Sequence, residues 1–202
     1  MVMKDKNGPV SDEDLMVRFK NGDQGAINEL INRNGSALYG YIVRQTGDPH
    51  RAEDAYQEVF LRVVKSAKRY RPQASFRAWL FTIARNVVID MARKESYRRA
   101  ESLDKPAGDE GGAARMESMD SGAADPEENA KASEMSEILE EAIAALAEEQ
   151  REVFLLREKT GLSFKEIAAA TGAPLNTVKT RMHYALNHLR KALREAGMMD
   201  GA

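Results

Sequence analysis

Apolar residues recur at three- and four-residue intervals along most of this chain, the spacing that gives a helix one buried side. The clearest run is Ala52, Ala55, Val59, Val63 and Ala67, with Tyr56, Phe60 and Val64 broadening the stripe. Pro49 can open that helix, because its missing N–H costs nothing in a first turn. Upstream, Ser11 with Asp14 reads as a helix start, and "DLMVRF" begins an apolar face that "NGDQG" interrupts. Further helices are expected over 24–33 and 36–45, the latter ended by "TGDP". After the loop "KRYRPQAS" the periodicity resumes over 76–97. Helices of this number and size can enclose a core.

From 101 to 132 the pattern dissolves into Gly, Ala, Ser and acid without aromatic or β-branched residues. Such a segment has too little apolar surface to offset its ordering entropy and reads as a flexible linker. Periodicity returns over 133–195. The predicted fold class is therefore all-α: two helical domains, 11–100 and 133–195, joined by the acidic linker 101–132. Within the second domain, Ser163 and Glu166 have capping-box spacing, and Ile167 and Ala168 are expected to face inward. Gly172 supplies a turn. Pro174 starts a helix with the buried stripe Val178, Met182, Ala185, Leu189 and Leu193. That is a helix-turn-helix pattern. It leaves Asn176, Thr177, Lys179, Thr180, Arg181, His183 and Tyr184 on outer or flanking faces, where a helix N-terminus favours phosphate and Asn or Arg can pair with base edges. A helical hairpin for protein contact is the alternative.

Charge sharpens this picture. The formal net charge of −2 conceals alternating blocks. Residues 11–58 carry a net −4, 62–99 a net +9, 101–149 a net −12 and 150–197 a net +5. Two basic blocks flank an acidic one. Basic blocks attract phosphate and release counterions, although solvated helix faces can look the same. The 202 residues include no cysteine, hence no disulfide framework or thiolate metal site, and a reducing cytoplasm fits. The N-terminus has no apolar signal segment, and no run reaches membrane-spanning length. His50, His183 and His188 are scattered, and no P-loop, GxSxG or metal-spaced set occurs, so an enzyme, metal site or cofactor is not expected.

Three segments, in order, carry a family likeness: "DPHRAEDAYQEVFLRVV", "FRAWLFTIARNVVIDMARK" and "GLSFKEIAAATGAPLNTVKTRMHYALNHLRKAL". With them the chain resembles a bacterial RNA polymerase sigma factor of the extracytoplasmic-function class (group 4) in the sigma-70 family. The resemblance implies a cytoplasmic transcription initiation factor whose partners are core polymerase (β′ clamp helices and β flap), promoter DNA and an anti-sigma protein. Its first domain would open the −10 element and its second would read the −35 element.

Carried onto this sequence, the resemblance assigns polymerase docking to Glu53, Asp54, Gln57 and Glu58, a polar flank at three-to-four spacing. Contact with −10 DNA falls to Arg71, Gln73, Ser75, Arg77, Arg85, Asn86, Asp90, Arg93 and Lys94, with the −35 contacts among the seven residues of the C-terminal helix named above. Asn86 matches an asparagine that helps hold a flipped base in some members, with the 68–75 loop completing the pocket; an extruded base needs amide donors and acceptors in a fitted cleft. Asp90 could accept from a cytosine amino group or simply pair with Arg93 or Lys94. Trp79 is expected in the core rather than against a base. Arg98 and Arg99 join the arginines as phosphate contacts. The rivals are a conventional helix-turn-helix regulator with a sensor or dimerisation domain, and a helical adaptor without DNA binding.

Overall fold

The computed structural model describes residues 10–72, 75–101 and 126–198, and these form α-helices and one 3-10 turn with no strand among them. Helix α1 (Asp12–Lys20) starts at Ser11, whose hydroxyl accepts the Asp14 N–H at 3.1 Å. Helix α2 (Gln24–Thr46) is capped by Asp23 and closed by Gly47 in the left-handed region at φ 68°. It replaces the two helices expected over 24–33 and 36–45. The apparent breaker Asn34–Gly35 serves packing instead. Asn34 is 1% exposed, and its amide donates to Leu30 O within the helix and to Asp12 Oδ2 at 2.8 Å. At Gly35 the Tyr56 hydroxyl comes so near that a Cβ would lie 2.6 Å from it. Glycine is there for a neighbour, not for a turn.

Helix α3 (Pro49–Ser66) begins as expected, with Asp48 accepting the His50 N–H at 2.9 Å. Ala52, Ala55, Val59 and Val63 are buried, and Tyr56 and Phe60 flank them half-buried. Val64 departs from the expected stripe and is 47% exposed. The chain then tightens into a 3-10 turn (Ala67–Arg69) and enters α4 (Phe76–Glu101). A helix start leaves orphan N–H donors. Here Glu13 of α1 accepts the Phe76 N–H at 2.8 Å and the Ser75 hydroxyl accepts the Ala78 N–H at 3.3 Å. Helices α1–α4 enclose a core around Met16, Leu30, Leu38, Tyr41, Leu80 and Phe81. Tyr41 meets Phe81 edge-on at 5.5 Å.

The second helical body starts at α5 (Pro126–Ala144), so 126–132 are helical rather than part of the expected linker. Proline suits a first helical position, and the Glu, Ala, Lys and Met that follow are strong helix formers. The rest of that linker, 102–125, lies outside the described residues. Helices α6 (Glu148–Glu158), α7 (Phe164–Thr171) and α8 (Leu175–Glu195) complete the body. The Ser163–Glu166 capping box forms in both directions: Glu166 Oε2 accepts the Ser163 N–H at 2.8 Å, and Ser163 Oγ accepts the Glu166 N–H at 3.3 Å. Gly172 turns the corner at φ 72°. Ile167 is buried, Ala168 is half-buried, and Ala170 faces the core beside them. On α8, Val178, Met182, Ala185 and Leu189 are buried while Leu193 is half-buried.

The two bodies touch. Helix α7 packs on α4 and α6 on α2, so the buried apolar residues of both form one cluster. Among the described residues, no helix is long and apolar enough to cross a membrane.

Candidate nucleic-acid interface

On α8, Asn176, Thr177, Lys179, Thr180, His183 and Tyr184 are exposed along one side, opposite the buried stripe. Proline at the N-cap provides no side-chain acceptor. The free N–H donors of that end, with the helix dipole, suit a phosphate. Thr180 turns its hydroxyl back to Asn176 O at 2.9 Å, and His183 meets the Asn187 amide at 3.0 Å. Arg181 differs from its neighbours. It is half-buried and leans toward Glu149 of α6, 3.9 Å away.

The α3–α4 surface is a second basic region. Asn86 is exposed beside a shallow cleft of about 360 Å³ lined by Arg62, Lys65, Ser66, Arg69 and Ile83. Arg69 falls in the 68–75 loop expected to complete the pocket, whereas Arg62, Lys65 and Ser66 of α3 went unassigned in the sequence. The i, i+3, i+4, i+7 spacing of the four is a signal for one polar, largely basic side, but only the packing of α3 on α4 sets it beside Asn86. Asp90 pairs neither with Arg93 nor with Lys94. Arg62 bridges it at 2.9 Å while also reaching Glu58 at 2.8 Å, which locks α3 to α4. The Arg62 hydrogen bond holds the Glu58 carboxyl below its ordinary range. Glu53, Asp54 and Gln57 stay exposed on α3, and Glu58 is half-buried and engaged.

The remaining −10 candidates divide. Arg71, Arg93 and Lys94 are exposed, as are Arg98 and Arg99, the latter paired with Glu95 at 2.7 Å. Arg77 points inward, its Nε donating to Asn34 Oδ1 at 3.1 Å. Arg85 donates to Glu152 Oε1 of α6 at 2.6 Å. Ser75 is half-buried, and its hydroxyl bonds Glu166 of α7. Gln73 lies outside the described residues. Trp79 is half-buried among aromatic rings, 5.1 Å from Tyr70 and 6.1 Å from Phe76.

Two carboxyls at the contact between the bodies are perturbed in opposite senses. Burial pushes Glu152 up, against the opposing pull of Arg85. Burial also works on Glu166, but the Ser163 hydroxyl and N–H and the Ser75 hydroxyl outweigh it and hold Glu166 down. Deep burial pushes the Tyr41 phenol, near both Glu152 and Arg85, well above its ordinary value.

Comparison with known proteins divides the chain along the same lines. Residues 30–98 match the family model for Sigma-70 region 2, and residues 136–189 match the one for Sigma-70, region 4. The ECF RNA polymerase sigma factor SigW of Bacillus subtilis (strain 168) is 33% identical over 181 residues, which span 88% of this chain and 94% of that one. The ECF RNA polymerase sigma factor SigE of Mycolicibacterium smegmatis is also 33% identical, over 85% of this chain but 64% of its own length. Among solved structures, the sigma factor RpoE of Bartonella quintana, crystallised with the anti-sigma factor NepR, shares the fold at a TM-score of 0.67 and 23% identity, covering 83% of this chain and 96% of that one.

Proposed function

The chain belongs to the extracytoplasmic-function sigma factors of the sigma-70 family, and from that premise we propose how its surfaces divide the work of starting transcription at a promoter. The protein performs no catalysis of its own and acts in the cytoplasm. The exposed Glu53, Asp54 and Gln57 dock on a basic surface of core polymerase, where complementary charge guides the encounter. The side of α8 bearing Asn176, Thr177, Lys179 and Thr180 reads the −35 element, with His183 and Tyr184 at its edge. Arg71, Arg93 and Lys94 follow the phosphates of the −10 region.

The observation that carries this reading is the setting of Asn86. An amide stands exposed beside a cleft whose rim holds Arg62, Lys65 and Arg69. A base turned out of the stack can satisfy its Watson–Crick edge on the amide while its phosphates lie near the cations. Binding only the unpaired strand makes the melted state the favoured one, because a ligand shifts an equilibrium by its differential affinity for the two states. A protein that docks only on duplex DNA has no use for such a cleft. An anti-sigma protein, of the kind that binds the Bartonella relative, restrains the chain by covering these surfaces.

The test is Asn86→Ala in run-off transcription and permanganate footprinting at matched polymerase occupancy. Loss of the contact should reduce discrimination by about 1–3 kcal/mol. Core binding should stay intact, and the defect should shrink on a template already melted over the −10 element. Duplex promoters opened as well by the variant as by the parent, with its fold verified by circular dichroism, would remove Asn86 from this role.

A further inference from the structure

The cleft beside Asn86 has two walls, drawn from different elements. Arg62, Lys65 and Ser66 of α3 with Arg69 of the 3-10 turn form one, and Ile83 and Asn86 of α4 form the other. Among the described residues none of α1 lines it, yet α1 packs on both the 3-10 turn and α4. Lys20 Nζ donates to Tyr70 O at 3.4 Å, where the chain leaves the turn. Glu13 Oε1 accepts the Phe76 N–H at 2.8 Å, where the chain enters α4. A carboxylate suits that place, since a helix N-terminus carries unpaired donors and the positive end of the dipole. Asp12 reaches α4 by way of α2: it accepts from the Asn34 amide, whose oxygen accepts from Arg77.

These ties bear on where Arg69 stands. Ala67 and Tyr70 are buried on either side of it, and Arg69 itself is exposed. The Tyr70 ring lies 5.1 Å from Trp79 and 6.2 Å from Phe76, both of α4. Burial, with the Glu13 and Asp12 carboxylates, pushes its phenol up to about 12, so the acids of α1 face this ring as well. The Arg62–Asp90 bridge, at 2.9 Å, ties the same two walls from within. A shallow cleft is not filled by its own side chains, so its width follows from whatever holds its walls. Selective binding needs groups held within about 0.5 Å of the productive geometry. Resting on the promoter-opening reading above, we propose that Glu13 and Lys20 are positioning residues for the extruded base: from outside the cleft they fix the 3-10 turn against the start of α4, and with it the span from Arg69 to Asn86.

The test uses the full chain assembled with core polymerase. The probe is a fluorescent single strand spanning the −10 element of a promoter that the parent transcribes, intact or with one abasic site at each position in turn. Asn86→Ala marks the base that enters the cleft, because its deficit disappears on the strand lacking that base. Glu13→Ala and Lys20→Ala should weaken binding of the intact strand roughly 3-fold or more, the scale of coupling within one network. Their deficits should disappear on that same abasic strand. Combined with Asn86→Ala, Glu13→Ala should cost less than the two separate effects multiplied. Glu13→Gln keeps an oxygen acceptor for the Phe76 N–H and should bind as the parent does. A loss of stability alone would lower the melting temperature without singling out one nucleotide.

A deficit that persists on every abasic strand would overturn the proposal, as would binding of the intact strand by both alanine variants equal to the parent's. Equal losses in Glu13→Gln and Glu13→Ala would do the same, because the acceptor would then not be the cause. Should Glu13→Ala not fold, Lys20→Ala puts the same question from an exposed side chain at the other tie. Asn86 separates the two levels. If Asn86→Ala responds at one position and the α1 variants do not, this inference alone fails. If Asn86→Ala responds at none, the functional reading fails and the inference with it.

Discussion

Arg77 has the charge of a phosphate contact, yet its Nε donates to an oxygen that nothing in the local sequence announces. The acceptor is Oδ1 of Asn34, a residue 1% exposed and 43 positions away in the chain. Arg77→Ala should therefore act on stability, leaving a buried acceptor unpaired at a cost of about 1–3 kcal/mol. Thermal melting should show the loss, while the salt dependence of promoter binding stays as in the parent. Glu166 offers a prediction in pH. Its carboxyl is held below the ordinary value of 4.5, so its contribution to stability is complete above that value and disappears as pH falls through the lowered one. In Glu166→Gln the difference from the parent should narrow as the solution is acidified below about 4.5, starting from a cap worth roughly 0.3–1.5 kcal/mol. A constant gap across that range, measured by denaturant titration, would contradict the assignment. What was legible at this scale was local. Ser163 with Glu166, Pro49 and Gly172 each reveal a role within four residues. The partners of Arg77, Arg85 and Asp90 come from other helices, and charge alone could not distinguish an arginine facing DNA from one facing a carboxylate.

At the scale of elements, periodicity located α1, α3, α4, α7 and α8 because each buries one side against a neighbour. It divided α2 wrongly, for a physical reason. A glycine after an asparagine reads the same whether it ends a helix or admits another side chain, and here it admits Tyr56. On helix propensity alone Gly35→Ala should stabilise, by up to about 1 kcal/mol. The Tyr56 ring is held edge-on by Tyr39 at 6.0 Å and Phe60 at 5.1 Å, so it has little room to retreat. Overpacking should win, with a net loss of about 1–2 kcal/mol in chemical denaturation. The start of α5 was also missed, because composition over 101–132 hid the helix-forming run that follows Pro126. The outer side of α8 was read residue by residue from its stripe, with the exception that Arg181 leans toward Glu149. Lys179, exposed with no such lean, is the better phosphate contact. Lys179→Ala should lower affinity for all promoters alike and reduce the salt slope by about 1. A change confined to one base position would instead make it a base reader.

For the whole molecule, two domains and their order were visible in the sequence, but their contact was not, since pairs such as Arg44–Glu140 join distant segments. That contact has its own acid response. Glu152 faces Arg85 from α4, Arg181 from α8, the buried Tyr41 phenol from α2 and Glu148 on its own helix. Burial raises its carboxyl above the ordinary 4.5, so the folded chain takes up a proton more readily than the unfolded one and this residue adds stability as pH falls. In denaturant titration the parent should therefore gain on Glu152→Gln between neutral pH and about 4.5, and parallel profiles would exclude the effect. The unbroken α2 has a further, mechanical meaning. Its 23 residues make a rod about 35 Å long that packs on α1, α3 and α4 and carries Arg44, the partner of Glu140, near its end. Gly35 and Arg44 lie about 13 Å apart along that one axis. A helix clamped on three sides cannot tilt at one point alone, so the close fit of Tyr56 at Gly35 and the seat of Glu140 on Arg44 are set by the same rigid span.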